Sequence, residues 1–157
     1  MTTAPSRARI IAPPLLLLVA CVAFGLLAQR SKPVRLLPDI PALRFVVAFV
    51  FFKISGVLAL SAFRSFKKHH TTVNPYGTPA ALLTSGPFRY SRNPLYVSLL
   101  LLVLGFAAAS NTAWLVAAAA IFFLLLHYGV VKPEETFLRS QFGAAYERYC
   151  AQVRRWV

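Results

Sequence analysis

Residues 95–131 read LYVSLLLLVLGFAAASNTAWLVAAAAIFFLLLHYGVV and contain no Asp, Glu, Lys or Arg. Apolar runs of this kind are typical of helices in a bilayer, where each span needs about 20 residues. A polar break at Asn111 and Thr112 divides the run into two segments, 95–109 and 113–131. Because the break is so short, the two segments are predicted to form a tight antiparallel helical hairpin.

Two further apolar runs precede this hairpin, at 10–28 and 43–63. The first follows Arg7 and Arg9, so a cleaved signal peptide is its alternative interpretation. Its apolar part exceeds the usual length of roughly 7–15 residues and lacks a small-x-small end, which favours a retained helix. The sequence therefore predicts a single all-α integral membrane domain, 1–157, with four transmembrane helices, a cytoplasmic loop at 64–93 and a C-terminal helical tail at 132–157.

The composition excludes an ordinary water-soluble enzyme. Apolar residues make up 58% of the chain and charged residues 13%, against roughly 45–50% and 25% in soluble domains. The segment 95–109 is the shortest predicted span, about 22 Å long against a hydrocarbon core of roughly 30 Å. The isolated cysteines Cys21 and Cys150 offer neither a disulfide framework nor a metal-ligand pair.

Basic residues outnumber acidic residues by 17 to 4, which gives a net charge of +13. They flank the apolar runs instead of forming one stripe, so the charge indicates membrane topology and not nucleic-acid binding. With the N-terminus in the cytoplasm, 12 basic residues lie on the cytoplasmic side and 4 on the opposite side. This excess predicts that both termini are cytoplasmic and that the loop at 64–93 and the tail share that face.

The tail is predicted to form two short helices. Pro133 and the glutamates after it suit the first turn of a helix, and Gly143 suits its end. Beyond Gly143, the aromatic and apolar residues recur on one face of an amphipathic helix that extends to Trp156. This second helix is expected to lie on the membrane or against the bundle, and a plain membrane anchor is the alternative.

The loop before residue 95 carries a possible anion site. Pro94 begins the next helix, and the free N–H groups at that helix end lie near Arg89 and Arg92. Two arginines alone are also what membrane topology requires on the cytoplasmic side. The nearby residues Tyr90, Asn93 and Tyr96 favour a binding site, because a topological signal needs neither an amide nor a phenol.

A second polar cluster, comprising His127, Glu134 and Glu135, lies at the cytoplasmic end of the segment 113–131. As neighbours on a helix, the two glutamates point about 100° apart, so only one is expected to face a site. His127 suits proton transfer but is also a common structural residue at a helix end. No histidine or cysteine spacing matches a metal site, so no metal is predicted.

Lys53 lies in the middle of the run 43–63, too deep for its side chain to reach either surface easily. An ionisable residue at that depth is either functional or lies on a helix that is shifted in the membrane or turned into the bundle, where it pairs with a carbonyl or a water. The sequence alone names no partner for it.

Two motifs together resemble a known family. The first is Gly86-Pro-Phe-Arg-Tyr-Ser-Arg-Asn-Pro-Leu-Tyr96, and the second, after the hairpin, is Glu134-Glu-Thr-Phe-Leu138 followed by Phe142, Gly143, Tyr146, Tyr149 and Val153. Over roughly 72–156, this pattern resembles the isoprenylcysteine carboxyl methyltransferase and phospholipid methyltransferase family of integral membrane enzymes. Eukaryotic members usually carry Arg-His-Pro where this chain has Arg92-Asn93-Pro94.

The resemblance implies methyl transfer from S-adenosylmethionine, bound from the cytosol, to a lipophilic or lipidated acceptor that enters from the bilayer and presents a carboxylate or an amine. Glu135 and Arg92 are the expected catalytic residues, and Glu135 or His127 would serve as the base for an amine acceptor. The expected cofactor contacts are Arg89, Tyr90, Arg92, Asn93, Pro94, Tyr96, His127, Glu134 and Glu135. The expected acceptor contacts are Arg139, Tyr146, Tyr149 and Arg155.

Two other functions remain open at this point. A reductase resembling the sterol reductase group would use the basic loop to hold the phosphates of NADPH. A non-catalytic membrane assembly subunit would keep the fold without turnover. The residues do not distinguish among prenylated cysteine, phosphatidylethanolamine, a quinol precursor and a small amine or thiol as the acceptor.

Overall fold

The computed structural model describes residues 10–71 and 79–157, and within these ranges the chain is helical, with no β-strand. This confirms the all-α prediction for the described part of the chain. Arg7, Arg9 and residues 72–78 of the predicted loop lie outside the described residues. The helices are α1 Pro14–Ser31, α2 Pro41–Lys68, α3 Pro94–Ala109, α4 Ala113–Leu126, α5 Lys132–Phe142 and α6 Ala144–Gln152.

Proline marks the start of several helices. Pro14, Pro41 and Pro94 are the first residues of α1, α2 and α3, and Pro133 lies in the first turn of α5. Proline suits these positions because its fixed φ fits the helix and its missing N–H would have no helical partner there. The helices therefore begin where the local chemistry of the sequence dictates.

Three helices are long and apolar enough to cross a membrane. They are α1, α2 and a continuous helix from Ala113 to Phe142, whereas α3 is apolar but shorter. The helix of the last predicted span does not end at residue 131, because a π-helical turn, His127–Val131, joins α4 to α5 without a break. The end of the span itself stays a prediction. The final helix also ends earlier than predicted, at Gln152, because the backbone becomes extended at Val153.

The helices pack in the order α2, α3, α4 and α1, with small residues at the contacts. Gly105 of α3 lies against the ring of Phe52, and Gly25 of α1 lies against Leu115 of α4. The hydroxyl of Ser55 donates to the carbonyl oxygen of Ser98 over 2.7 Å, linking α2 to α3. Close approach and interhelical hydrogen bonds of this kind stabilise helix pairs in lipid, where the hydrophobic effect does not drive association.

The turn between α3 and α4 anchors the connection between α1 and α2. Asn111 adopts a left-handed conformation with φ 48°, which Asn tolerates better than most residues. Its side-chain oxygen accepts from the backbone N–H groups of Leu36 and Leu37 over 3.1 and 2.8 Å. The hydroxyl of Thr112 donates to Gln29 over 2.7 Å. These bonds close one end of the bundle and leave the other end for the polar loop and tail.

We expect Gly25→Ala to lower the thermal stability of the detergent-solubilised protein. A methyl group at residue 25 would lie 3.3 Å from the Cα of the fully buried Leu115, so the helices must separate. Overpacking of this kind costs roughly 1–3 kcal/mol. Gly56→Ala is the matched control, because no atom lies within 4 Å of the corresponding position. Equal melting temperatures for the two variants would contradict the α1–α4 packing.

Candidate active site

A cavity of about 150 Å³ opens between the C-terminal part of α2, the segment 79–96 and the first turns of α5 and α6. Most of its wall is apolar, formed by Phe66, Leu82, Leu83, Phe88, Leu95, Phe137 and Leu138. Polar side chains converge at one side, which we call the polar corner: Arg92, Asn93, Tyr96, Glu134 and Glu135. The cavity therefore combines an apolar wall with charges of both signs.

Glu135 is the centre of the polar corner. It is buried in the first turn of α5 and forms ion pairs with two arginines from distant segments. Arg155 makes a bidentate contact, with Nε 2.9 Å from Oε1 and Nη2 2.8 Å from Oε2. Nη1 of Arg92 lies 3.1 Å from the same Oε1. Both carboxylate oxygens are thus occupied, and α5, the loop before α3 and the C-terminal segment are tied together.

The side chain of Arg92 has a buried donor, Nε, that lacks a hydrogen-bond partner among the described residues. Its Nη1 also donates to the sulfur of Cys150, and its backbone N–H donates to the carbonyl oxygen of Arg154 over 3.0 Å. Its Nε is buried and has no hydrogen-bond partner among the described residues. Because buried N–H groups without partners are costly, this atom indicates a position for an acceptor atom of a ligand.

Glu134 has a different environment from its neighbour. Its Oε1 accepts a hydrogen bond from the hydroxyl of Tyr96 over 2.7 Å, and no arginine lies within ion-pair distance among the described residues. Glu134 and Glu135 both line the cavity. The expectation that only one of them faces a ligand stays a prediction.

Two tyrosines of α6, Tyr146 and Tyr149, line the cavity beside the polar corner. Tyr149 donates its hydroxyl to the carbonyl oxygen of Phe88 over 2.7 Å, and Tyr146 is almost fully buried. Burial raises the pKa of both phenols well above the ordinary value, and the nearby charge of Glu135 further raises the pKa of Tyr146. Both groups therefore stay neutral at physiological pH, and Tyr149 remains a hydrogen-bond donor.

The C-terminal segment after α6 completes the site. The amide of Asn93 donates to the carbonyl oxygen of Arg155 over 2.9 Å. The indole N–H of Trp156 donates to Nδ1 of His127 over 3.1 Å, and the two rings stack. His127 therefore faces Trp156 and does not line the cavity. Cys150 and Trp156 were not identified from the sequence as residues that support the site. The only feature of the sequence that could have indicated them is their position on the apolar face predicted for the tail.

Five of the sequence-predicted site residues do not line the cavity: Arg89, Tyr90, His127, Arg139 and Arg155. Arg89 and Tyr90 are exposed, Tyr90 to 76%. Arg139 pairs with Glu147 on the surface, with its Nε 2.8 Å from Oε1. Pro94 is buried and lines the cavity as the first residue of α3. In the described part of the chain, no three His, Cys, Asp or Glu side chains cluster as metal ligands would.

We expect Glu135→Gln to destabilise the protein by about 3 kcal/mol, because it leaves Arg92 and Arg155 without their shared counter-charge. Thermal unfolding in detergent measures the effect. Glu147→Gln is the control, since its partner Arg139 is exposed and the pair is worth less than about 1 kcal/mol. A Glu135→Gln variant as stable as Glu147→Gln would show that the two-arginine pairing does not hold the site together.

Comparison with known proteins supports a methyltransferase family. A family model described as phospholipid methyltransferase matches residues 43–145, which include Arg92, Tyr96, Glu134 and Glu135 but not Arg155. The cobalt-zinc-cadmium resistance protein CzcN of Cupriavidus metallidurans is 41% identical over 61 residues, 39% of this chain and 28% of that protein. The chain thus spans little more than a quarter of that relative.

A second similar protein is an uncharacterized protein of Haemophilus influenzae. It is 40% identical over 65 residues, which cover 40% of this chain and the whole of that protein. No solved structure gives a significant match to the chain.

Proposed function

The chain belongs to the phospholipid methyltransferase family, and we propose that it transfers the methyl group of S-adenosylmethionine to a lipophilic acceptor at the cytoplasmic membrane interface. Its family and its three long apolar helices make it a membrane methyltransferase. The proposal rests on one observation: the apolar cavity ends in a polar corner that holds both a free arginine donor and a carboxylate without an arginine partner.

The polar corner fits the charged groups of S-adenosylmethionine, which supplies an electrophilic methyl group on a sulfonium when bound. The free Nε of Arg92 and the N–H groups at the start of α3 suit the carboxylate of the amino-acid part. Glu134 suits its ammonium group, and the ring of Tyr96 suits the sulfonium or the adenine. Each of these groups lines the same cavity.

Glu135 acts in this proposal as a positioning residue. Its two oxygens are already engaged by Arg155 and Arg92, so they are not free to take a proton from an acceptor. By holding Nη1 of Arg92, Glu135 fixes the position of that guanidinium at the cavity wall, and its buried Nε is left without a partner among the described residues. Glu134 is then the acid that contacts the cofactor.

The apolar wall suits the hydrocarbon part of the acceptor. Methyl transfer is an in-line displacement that depends on alignment and on exclusion of water, and a buried apolar wall provides both. Tyr146 and Tyr149 line the cavity beside the polar corner. Arg155, which pairs with Glu135 there, is proposed to hold an anionic head group. Arg139, Arg89 and Tyr90 lie outside the cavity on the surface and are proposed to contact lipid head groups.

We further propose four membrane spans, with α3 as the short one and both termini in the cytoplasm. The excess of basic residues near the cavity end of the bundle supports this orientation. A helix as short as α3 is accommodated by local thinning of the bilayer.

Isothermal titration of the detergent-purified protein with S-adenosylhomocysteine tests the cofactor proposal. We expect micromolar binding by the unmodified chain and at least about tenfold weaker binding by Glu134→Gln, since one charge-assisted hydrogen bond is worth roughly 1.5–3 kcal/mol. Glu147→Gln is the control and should bind normally, because Glu147 lies on the surface outside the cavity.

Two results would contradict the proposal. One is equal affinity of Glu134→Gln and Glu147→Gln for S-adenosylhomocysteine. The other is an absence of binding by the folded chain together with a rise in melting temperature on addition of NADPH, since only a ligand of the native state stabilises it. That second result would support a reductase.

A further inference from the structure

Lys53 lies on the outer face of α2, away from the other helices. It is exposed, and so are its neighbours on the same face, which we call the Lys53 face: Val46, Phe49, Lys53, Val57 and Leu60. The alternative in which Lys53 turns into the bundle is therefore wrong for this structure. A positive charge stands in the middle of an otherwise apolar surface.

Contacts with α3 define the depth of Lys53 in the bundle. Its neighbour Phe52 packs against Phe106, with ring centroids 5.2 Å apart, and Ser55 bonds to the backbone of Ser98. Lys53 therefore lies level with the middle of α3, which runs from Pro94 to Ala109. Along α2, uncharged residues separate it from Arg44 on one side and from Arg64 on the other. With α2 and α3 spanning the bilayer as proposed above, its charge lies near the centre of the bilayer.

The acidic residues of this chain do not neutralise Lys53. The sequence has four of them, and all lie in the described ranges. Asp39 pairs with Arg35, Glu147 with Arg139, Glu135 with two arginines, and Glu134 bonds to Tyr96. None of these carboxylates lies on α2. A second copy of this sequence would therefore bring no carboxylate at the required depth.

Gly56 leaves room for a close neighbour beside Lys53. It lies one helical turn further along α2, and no atom is within 4 Å of the position that a β-carbon would occupy. A glycine next to an exposed helix face lets another helix approach closely in lipid. The open space beside Gly56 and the positive charge of Lys53 are therefore close together on the surface of α2.

We propose that the Lys53 face binds a transmembrane helix of a different protein that carries an Asp or Glu near the bilayer centre. The carboxylate of that helix pairs with Lys53, because charged side chains at this depth require a partner. The partner backbone lies over Gly56, and apolar side chains such as Phe49 and Val57 cover its flanks. This interaction is separate from the methyl-transfer site and does not depend on it.

Energy transfer in phosphatidylcholine vesicles tests the proposal with a defined probe. The labelled full chain is mixed with a synthetic membrane-spanning peptide of Leu and Ala that carries one central Glu, or with its twin carrying Gln. We expect the Glu peptide to bind at least about tenfold more tightly than the Gln peptide. Lys53→Met should abolish this preference and Lys53→Arg should retain it. Lys67→Met, at the end of α2, is the control and should behave as the unmodified chain.

Three results would overturn the proposal. The first is equal binding of the Glu and Gln peptides by the unmodified chain. This measurement does not depend on whether any variant folds. The second is energy transfer between two labelled copies of the chain that disappears in Lys53→Met, which would make the partner a second copy. The third is a preference for phosphatidylglycerol that disappears in Lys53→Met, which would make the partner a lipid phosphate. An unchanged melting temperature of Lys53→Met in detergent verifies that this variant is folded.

Discussion

The structure depends on one buried carboxylate shared by two arginines. Glu135 connects the first turn of α5 to Arg92, in the loop before α3, and to Arg155, beyond α6. Without Glu135, no ion pair would connect these three segments to one another at the cavity. An interior ion pair is stable only when its charges are well matched and hydrogen-bonded, and here both oxygens of Glu135 are used. The arrangement leaves the Nε of Arg92 as the free donor.

The polar groups at the two ends of the bundle differ: neutral side chains bond to the connection between helices at one end, and charged side chains line a cavity at the other. At one end, Asn111 and Thr112 satisfy the backbone and side chains of the loop between α1 and α2, and this network contains no charged side chain. At the other end, charged side chains converge on a cavity, and the Nε of Arg92 is buried there without a partner among the described residues. A buried donor without a partner that belongs to a cavity-lining residue is suited to a ligand.

The scarcity of acidic residues makes the position of each one informative. Only four are present among 157 residues, and two of them lie side by side on α5 with different partners. Glu135 holds arginines in place, and Glu134 bonds only to a phenol, so it retains capacity for a cationic ligand. Because all four acidic residues have other partners, Lys53 has no carboxylate of this chain near it. The proposed methyl-transfer site therefore contains carboxylates of this chain, whereas the proposed partner surface has a positive charge and no carboxylate of its own.

The sequence by itself determined the helical membrane class, the helix starts at Pro94 and near Pro133, the break at Gly143 and the family motifs, because these depend on composition and on neighbours within a few residues. It did not predict that α4 continues through a π-helical turn into α5, or that α6 ends at Gln152. Only the tertiary structure decided that His127 faces Trp156, that both glutamates border the cavity and that Lys53 points outward. Those outcomes depend on contacts between distant residues, such as Asn93 and Arg155, 62 positions apart. Local periodicity carries no information about which distant partner a side chain will meet.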